Sequence, residues 1–266
     1  MGTLSSGVEF TGAVGTYTFY RKQGSDKIFV RQRRNGGRKK KKKELSERVQ
    51  ETVTEFSLCA STSKAIRWAI RDIKHLADYN FTPKLTGLCR HPQKLDPVGK
   101  RGERSVLISQ HPSYFAGFNL NKNHLFDSII RHPLQYSIDP VAGIARVELP
   151  ELQQGVSLFL PWPVPQFRVI MALGLAADQL FDASGKKDSF SPGTTVATTG
   201  WLSSTEQHKG QTFELSLPMP AKRPKDRGIS YVLSIGIEME ITVLRGSGGI
   251  RKAGAGKIVD LVAVGG

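Results

Sequence analysis

Apolar residues recur at helical spacing between residues 44 and 79. Steps of three and four positions, which place side chains on one helix face, connect two sets of them: Leu45, Val49, Val53, Phe56 and Ala60, and then Ile66, Ile70, Ile73 and Ala77. The Ser-Thr-Ser run at residues 61–63 favours a break into two helices, because these hydroxyls compete for backbone hydrogen bonds. A further short helix is predicted from Pro83 through Leu95, since proline is tolerated in the first helical turn.

From about residue 126 the pattern changes to short β-strands separated by glycine and proline. Residues 136–149 alternate apolar and polar positions around Asp139, Pro140 and Gly143, which predicts a hairpin. Glycines at 246–249 and 254–256 favour a turn between the last two strands. The other predicted strands are residues 156–160, 167–173, 194–202, 212–217, 231–243 and 257–264. Short strands with such turns are typical of a β-sandwich or barrel.

Residues 7–34 are predicted to form a β-hairpin near the N-terminus. Tyr17 and Phe19 lie on one arm and residues 28–30 on the other, around a turn at residues 23–26. Residues 31–43 then contain no apolar side chain, so this stretch cannot bury itself in a core. We expect a solvated basic arm there.

In this order the elements predict a fold of the α+β class. It consists of an N-terminal β-hairpin and basic arm, a short helical segment, and a C-terminal antiparallel β-sandwich or barrel. The predicted boundaries are residues 1–43 for the hairpin and arm, 44–125 for the helical region and 126–266 for the β-rich domain.

The positive charge of the chain is concentrated in its N-terminal half. The sequence has a net charge of +15, and residues 1–133 contribute +14 of it, from 25 Lys and Arg against 11 Asp and Glu. Between Arg21 and Lys43 there are 12 Lys or Arg and one acid, Asp26. This asymmetry indicates nucleic acid or another polyanion as a partner.

The basic arm and the helix after it supply the candidate binding residues. Each cation placed on a phosphate releases condensed counterions, which gives sequence-independent binding that weakens steeply with salt. Arg67, Arg71 and Lys74 are expected to extend this footprint along one helix face. The candidate nucleic-acid-binding residues are Arg31, Arg33, Arg34, Arg38, Lys39, Lys40, Lys41, Lys42, Lys43, Arg67, Arg71 and Lys74.

Aromatic residues beside the arm, Tyr17, Phe19, Tyr20 and Phe29, have two interpretations. They are placed to stack on nucleobases, and they equally fit the core of the hairpin. The lysine run also has alternatives, because such a run serves as a solvated linker or binds an acidic patch on another protein.

The sequence contains no recognisable catalytic or metal-binding pattern. Cys89 and His91 lack the paired spacing of zinc sites, and Cys59 and Cys89 are expected to be free, packed thiols. No phosphate-binding loop, nucleophile elbow or zinc-protease motif occurs. We therefore expect no cofactor, no metal and no enzymatic activity. The acids Glu44, Glu47, Glu51 and Glu55 have helical spacing and are expected on a solvated face.

No apolar run approaches the roughly 18 residues of a membrane helix. Residues 1–6 also lack the basic start and apolar stretch of a secretory signal. We expect no membrane span, and a location in the cytoplasm or in a particle assembled there.

Four short motifs give the chain a resemblance to a family of uncharacterised Bacteroidota proteins. They are the glycine-spaced residues 12–20, residues 118–121 with 126–128, residues 171–174 with 180–182, and residues 233–238. The resemblance spans most of the chain and implies one conserved architecture. It implies no activity and assigns no site residue.

These observations favour a non-enzymatic binding protein whose basic half contacts nucleic acid or a nucleoprotein particle. The alternative is a structural subunit of a larger assembly, such as a phage virion or a cell-envelope machine, with protein partners or further copies of itself. The Pro- and Trp-containing residues 161–165 favour this alternative, as an interface element, or else form a packed loop between strands.

Overall fold

The computed structural model describes residues 2–4, 10–21, 27–33, 45–182, 190, 192–221, 224, 227–242 and 250–264. The chain divides into two compact units, Met1–Val49 and Gln50–Gly266. The boundaries predicted after residues 43 and 125 stay predictions.

The first unit is a four-stranded antiparallel sheet in the order β1-β4-β3-β2. The hairpin predicted for residues 7–34 is present as the pair β3 and β4, while its turn at residues 23–26 lies outside the described residues. Gly15 forms the tight turn between β2 and β3 with a φ of 54°, a conformation that favours glycine. The strands are β1 (Gly2–Leu4), β2 (Gly12–Val14), β3 (Tyr17–Arg21) and β4 (Ile28–Gln32).

The helices are α1 (Glu47–Ala69), α2 (Thr82–Leu88), α3 (Arg90–Lys94) and α4 (Phe126–Ile129). The predicted break at residues 61–63 is wrong, because α1 runs through it without interruption. The Thr62 hydroxyl donates to the carbonyl of Leu58 at 3.0 Å, so it is satisfied inside the helix. The helix predicted from Pro83 through Leu95 begins as expected in α2, with the proline in its first turn, but it ends at Leu88 and is followed by the separate helix α3. No helix in the described part of the chain has the length and apolar character needed to cross a membrane.

The rest of the chain forms two open antiparallel sheets, which confirms the predicted α+β class. One has three strands in the order β10-β6-β5, and the other has five, in the order β12-β11-β7-β8 with β9 also paired to β7. The strands are β5 (Gln135–Asp139), β6 (Ile144–Leu149), β7 (Gln166–Ala177), β8 (Thr194–Thr198), β9 (Leu202–Ser203), β10 (Gln211–Ser216), β11 (Ile229–Thr242) and β12 (Ile250–Ala263).

One strand prediction and one turn prediction fail. Residues 156–160 form no strand, since Leu158 makes only isolated bridges after a turn at Gly155, whose φ is 81°. The turn predicted at 254–256 is wrong as well, because Gly254 and Gly256 lie inside β12.

The five-stranded sheet is covered on both faces. Val169, Met171 and Leu173 of β7 lie in a core shared with the three-stranded sheet. Ile170 and Ala176 of the same strand lie in a second core shared with the helices. Because successive side chains of a strand point to opposite faces, β7 is fully buried from Val169 to Ala177, and this stretch is continuously apolar. The second unit is therefore a three-layer stack with the long sheet in the middle.

Glycines allow the helical layer to approach this sheet closely. A Cβ atom at Gly174 of β7 would lie 2.2 Å from the carbonyl oxygen of Ala69, at the end of α1. Cβ atoms at Gly236 and Gly254 would lie 2.3 and 2.6 Å from the side chain of Leu76. Close packing of the helical layer on the sheet therefore requires glycine at these positions. This explains why β12 contains residues that are typical of a turn.

A buried asparagine links the helical layer to the five-stranded sheet through hydrogen bonds. The side-chain amide of Asn121 donates to the carbonyls of Leu76 and Gly254, both at 2.9 Å. Its carbonyl oxygen accepts the backbone N–H of Gly256 at 2.9 Å. The 3-10 turn Lys74–Leu76 is thereby fixed against β12.

Candidate nucleic-acid interface

The structure describes only part of the predicted arm. Arg31 and Arg33 are exposed, on β4 and directly after it. The other members of the arm, Arg34, Arg38 and the lysines from Lys39 to Lys43, lie outside the described residues. The site in this unit is therefore built on the sheet.

Strand pairing brings both arginines to the same sheet face as two aromatic rings. Residues opposite each other in an antiparallel pair share a face, and so do residues two apart in one strand. Arg31 is opposite Thr18, and Phe29 is opposite Tyr20. The Tyr20 and Phe29 rings stack with centroids 5.9 Å apart, and the Arg33 Nε donates to the Thr18 hydroxyl at 3.2 Å.

The other two aromatic residues singled out from the sequence lie on the opposite face of this sheet. Phe19 is opposite Val30 and packs edge-to-face against Phe10, with the ring centroids 5.7 Å apart. Tyr17 lies two residues before Phe19 in the same strand and therefore shares its face. One pair of aromatics thus adjoins the arginines, and the other pair belongs to a small apolar face.

In the second unit, Arg67, Arg71 and Lys74 do not continue one helix face as predicted. The helix ends at Ala69, because the chain turns there to pack onto the sheet, and only Arg67 is helical. Arg67 donates from Nε to the Ser63 carbonyl at 3.3 Å. Arg71 follows in the turn, and Lys74 is exposed at the start of the 3-10 turn.

No carboxylate pairs with these three cations among the described residues. The cations of the second unit that do pair with a described carboxylate are Lys100 with Glu103 at 3.7 Å, Arg101 with Glu51 at 3.2 Å, Arg104 with Glu55 at 3.7 Å, Arg146 with Glu214 at 3.0 Å, Arg168 with Glu238 at 2.5 Å, and Lys257 with Asp127 at 2.5 Å.

Sequence reasoning missed Trp68, which lies among these cations. Its side chain is fixed by a hydrogen bond from the indole N–H to the carbonyl of Pro192, at 3.1 Å. The Arg71 guanidinium lies 4.9 Å from the ring centroid, yet the residue remains 47% exposed. Its position between Arg67 and Arg71 in the sequence was the available signal.

The acids of α1 are less solvated than predicted. Glu51 and Glu55 pair with Arg101 and Arg104, and Glu55 also accepts the backbone N–H of Gly102 at 3.1 Å. The loop that contains Arg101, Gly102 and Arg104 therefore covers this face of α1. The local spacing of the acids could not indicate this contact. Glu47 is exposed as predicted, and Glu44 lies outside the described residues.

The apolar face of α1 is exposed along its first turns. Val53 and Phe56, whose spacing helped to predict the helix, are 53% and 62% exposed. Further along the same helix, Ile66 and Ala69 are fully buried under the sheet. The buried apolar residues of α1, Cys59, Ile66 and Ala69, thus lie in its second half.

The buried titratable groups Cys59, Cys89 and Asp178 are packed or hydrogen-bonded within the fold. Cys59 and Cys89 are free thiols, and burial raises the pKa of Cys59 to about 11 and that of Cys89 further still. Burial also raises the pKa of Asp178, whose carboxylate accepts the backbone N–H of Ser109 at 2.9 Å and its hydroxyl at 2.5 Å. Such thiols are poor nucleophiles, because thiolate is the reactive form.

The described side chains offer two cationic and aromatic surfaces, one in each unit. Within these residues no group of three or more His, Cys, Asp or Glu is arranged to hold a metal ion. No family model matches the chain, and no curated protein and no solved structure matches it either.

Proposed function

We propose that this protein is a non-enzymatic binding protein whose basic N-terminal half contacts nucleic acid. The observation that carries the proposal is the shared sheet face of Arg31, Arg33 and the stacked Tyr20–Phe29 pair. Guanidinium groups contact phosphates, and aromatic rings on a sheet surface accept bases. One face therefore offers both kinds of contact.

The charge distribution supports the same function. Residues 1–133 have a net charge of +14, and the lysine run at residues 39–43 follows β4 in the sequence. Contacts to phosphate give affinity without sequence preference. Arg67, Arg71 and Lys74, which have no carboxylate partner among the described residues, add a second surface of the same chemistry.

Replacing Arg31 and Arg33 together with alanine is expected to weaken binding to a labelled oligonucleotide. Loss of two phosphate contacts should reduce the slope of log K against log salt by about 1.4 to 1.8. Fluorescence anisotropy over a series of KCl concentrations measures this slope. The control is Arg146→Ala, which removes an exposed cation that is already paired with Glu214 and should leave the slope unchanged.

The proposal fails if the wild-type protein shows no salt-dependent binding to DNA or RNA at low ionic strength. It also fails for this sheet face if the double variant and Arg146→Ala have the same slope as the wild type.

The exposed face of α1 favours a second candidate function, a structural subunit of a larger assembly. Val53 and Phe56 lie on successive turns of α1, and exposed apolar patches mark protein-contact sites. The partner is taken to be a second copy of the chain, because most soluble oligomers are homo-oligomers.

If copies of the chain associate through this face, the Val53→Glu, Phe56→Glu variant should be monomeric where the wild type is oligomeric. Light scattering coupled to size exclusion, after nuclease treatment, measures the mass. The control is Val141→Glu, which changes an exposed valine in the turn between β5 and β6. A wild type that is monomeric at all concentrations rejects this candidate and leaves nucleic-acid binding unaffected.

A further inference from the structure

Trp68 combines three properties that are rarely found together in a merely packed side chain. It exposes 47% of its surface, although large aromatic residues are usually well buried. Its indole N–H is anchored to the Pro192 carbonyl at 3.1 Å, so the ring is held in one orientation. An arginine lies over the ring, with the Arg71 guanidinium 4.9 Å from the centroid.

The charges around Trp68 suit a nucleotide. Arg67 and Arg71 flank it in the chain, Lys74 follows in the 3-10 turn, and no described carboxylate pairs with any of the three. A base stacked on the indole would have its phosphates within reach of these cations. Preorganised cations beside a fixed ring are the arrangement by which proteins hold unpaired bases.

Trp201 offers a comparison within the same molecule. Arg168 lies over its ring at the same 4.9 Å, and the residue is 36% exposed. That guanidinium, however, is neutralised by the buried carboxylate of Glu238 at 2.5 Å. The guanidinium over Trp201 is therefore already paired with a carboxylate, whereas the guanidinium over Trp68 has no carboxylate partner among the described residues.

From this geometry we infer that Trp68 is a stacking platform for an unpaired nucleobase, with Arg67, Arg71 and Lys74 as its phosphate contacts. The inference rests on the proposed function and makes it more specific, since it names single-stranded nucleic acid as the ligand. Bases in a duplex are stacked on their neighbours and paired, so they do not reach a side chain of this kind. A polyanion without bases would use only the cations.

The test compares three probes on the full-length protein: oligothymidine, a duplex of similar length, and heparin. Trp68→Leu is expected to bind oligothymidine about tenfold more weakly, which corresponds to one lost base–aromatic contact. Its affinity for heparin and for the duplex should stay within about twofold of wild type, because the cations remain. Trp68→Phe keeps an aromatic ring and should recover part of the lost affinity.

Trp201→Leu is the matched control and should bind all three probes as the wild type does. Circular dichroism shows whether each variant is folded, and Trp68→Phe provides the second reading if Trp68→Leu is not. Oligothymidine should quench the tryptophan fluorescence of the wild type, and most of this quenching should be absent in the Trp68 variants.

Equal losses for oligothymidine and heparin, or no loss at all, would overturn the inference. So would a duplex that binds as tightly as oligothymidine and responds in the same way to Trp68→Leu. These results leave the proposed function standing, because the wild type still binds polyanions. If the wild type binds none of the three probes, the proposed function itself fails.

Discussion

Replacing Gly174 with alanine is expected to destabilise the protein by about 3 kcal/mol or more. The added Cβ would lie 2.2 Å from the Ala69 carbonyl oxygen and 2.7 Å from its Cα, both of them backbone atoms. Backbone atoms cannot rotate away, so α1 would have to move from the sheet and open the core beneath it. Urea unfolding followed by circular dichroism measures the change in unfolding free energy.

Gly87→Ala is the matched control for this substitution. Gly87 lies in α2, and a Cβ there would meet nothing within 4 Å. Alanine has the higher helix propensity, so this variant should be more stable by about 0.5 to 1 kcal/mol. A Gly174→Ala variant as stable as wild type would contradict the close approach of α1 to β7.

Arg168→Met is expected to cost about 3 kcal/mol, because it removes an ion-pair partner from a buried carboxylate. Glu238 of β11 is 1% exposed and accepts from the Arg168 Nε at 2.5 Å. His75 Nε2, on a half-exposed side chain, lies 3.5 Å from the other carboxylate oxygen of Glu238. Methionine keeps most of the apolar packing of the arginine stem, so thermal or urea unfolding reports chiefly the lost pairing.

Two further variants test whether the loss of stability comes from the burial of Glu238 or from the loss of an ion pair alone. Arg146→Met breaks a cross-strand pair with Glu214 whose side chains are 64% and 50% exposed, and it should cost less than about 1 kcal/mol. The double variant Arg168→Met, Glu238→Met should recover much of the stability lost in Arg168→Met. Equal costs for Arg146→Met and Arg168→Met would show that burial of Glu238 does not govern this pair.

Local periodicity was sufficient for most elements of the fold. The hairpin of β5 and β6, the long strands β7 and β11, and the helix α1 follow from patterns within a few residues. The errors arose where distant contacts decide the outcome. Gly254 and Gly256 resemble a turn, but they lie in a strand because Leu76 and Leu120 pack onto them.

The candidate sites were predicted only in part for the same reason. Arg31 and Arg33 were identifiable from composition, but their shared face with Tyr20 and Phe29 depends on strand register. Trp68 became a candidate only when its exposure and its anchor at Pro192, far away in the sequence, were known. Likewise, the pairing of Glu51 with Arg101 depends on a loop whose path the spacing of charges does not specify.

The central position of the five-stranded sheet has a consequence for biosynthesis. The core beneath the helices is completed by Ile170, Val232, Ile258 and Leu261, all of which leave the ribosome after α1. Until then Ile66, Ile70 and Ile73 have no sheet to cover them, and nascent chains with such uncovered apolar surface aggregate readily. The second unit therefore completes its folding only after translation has reached its final strand, and a chain arrested before β11 would depend on chaperones to stay in solution.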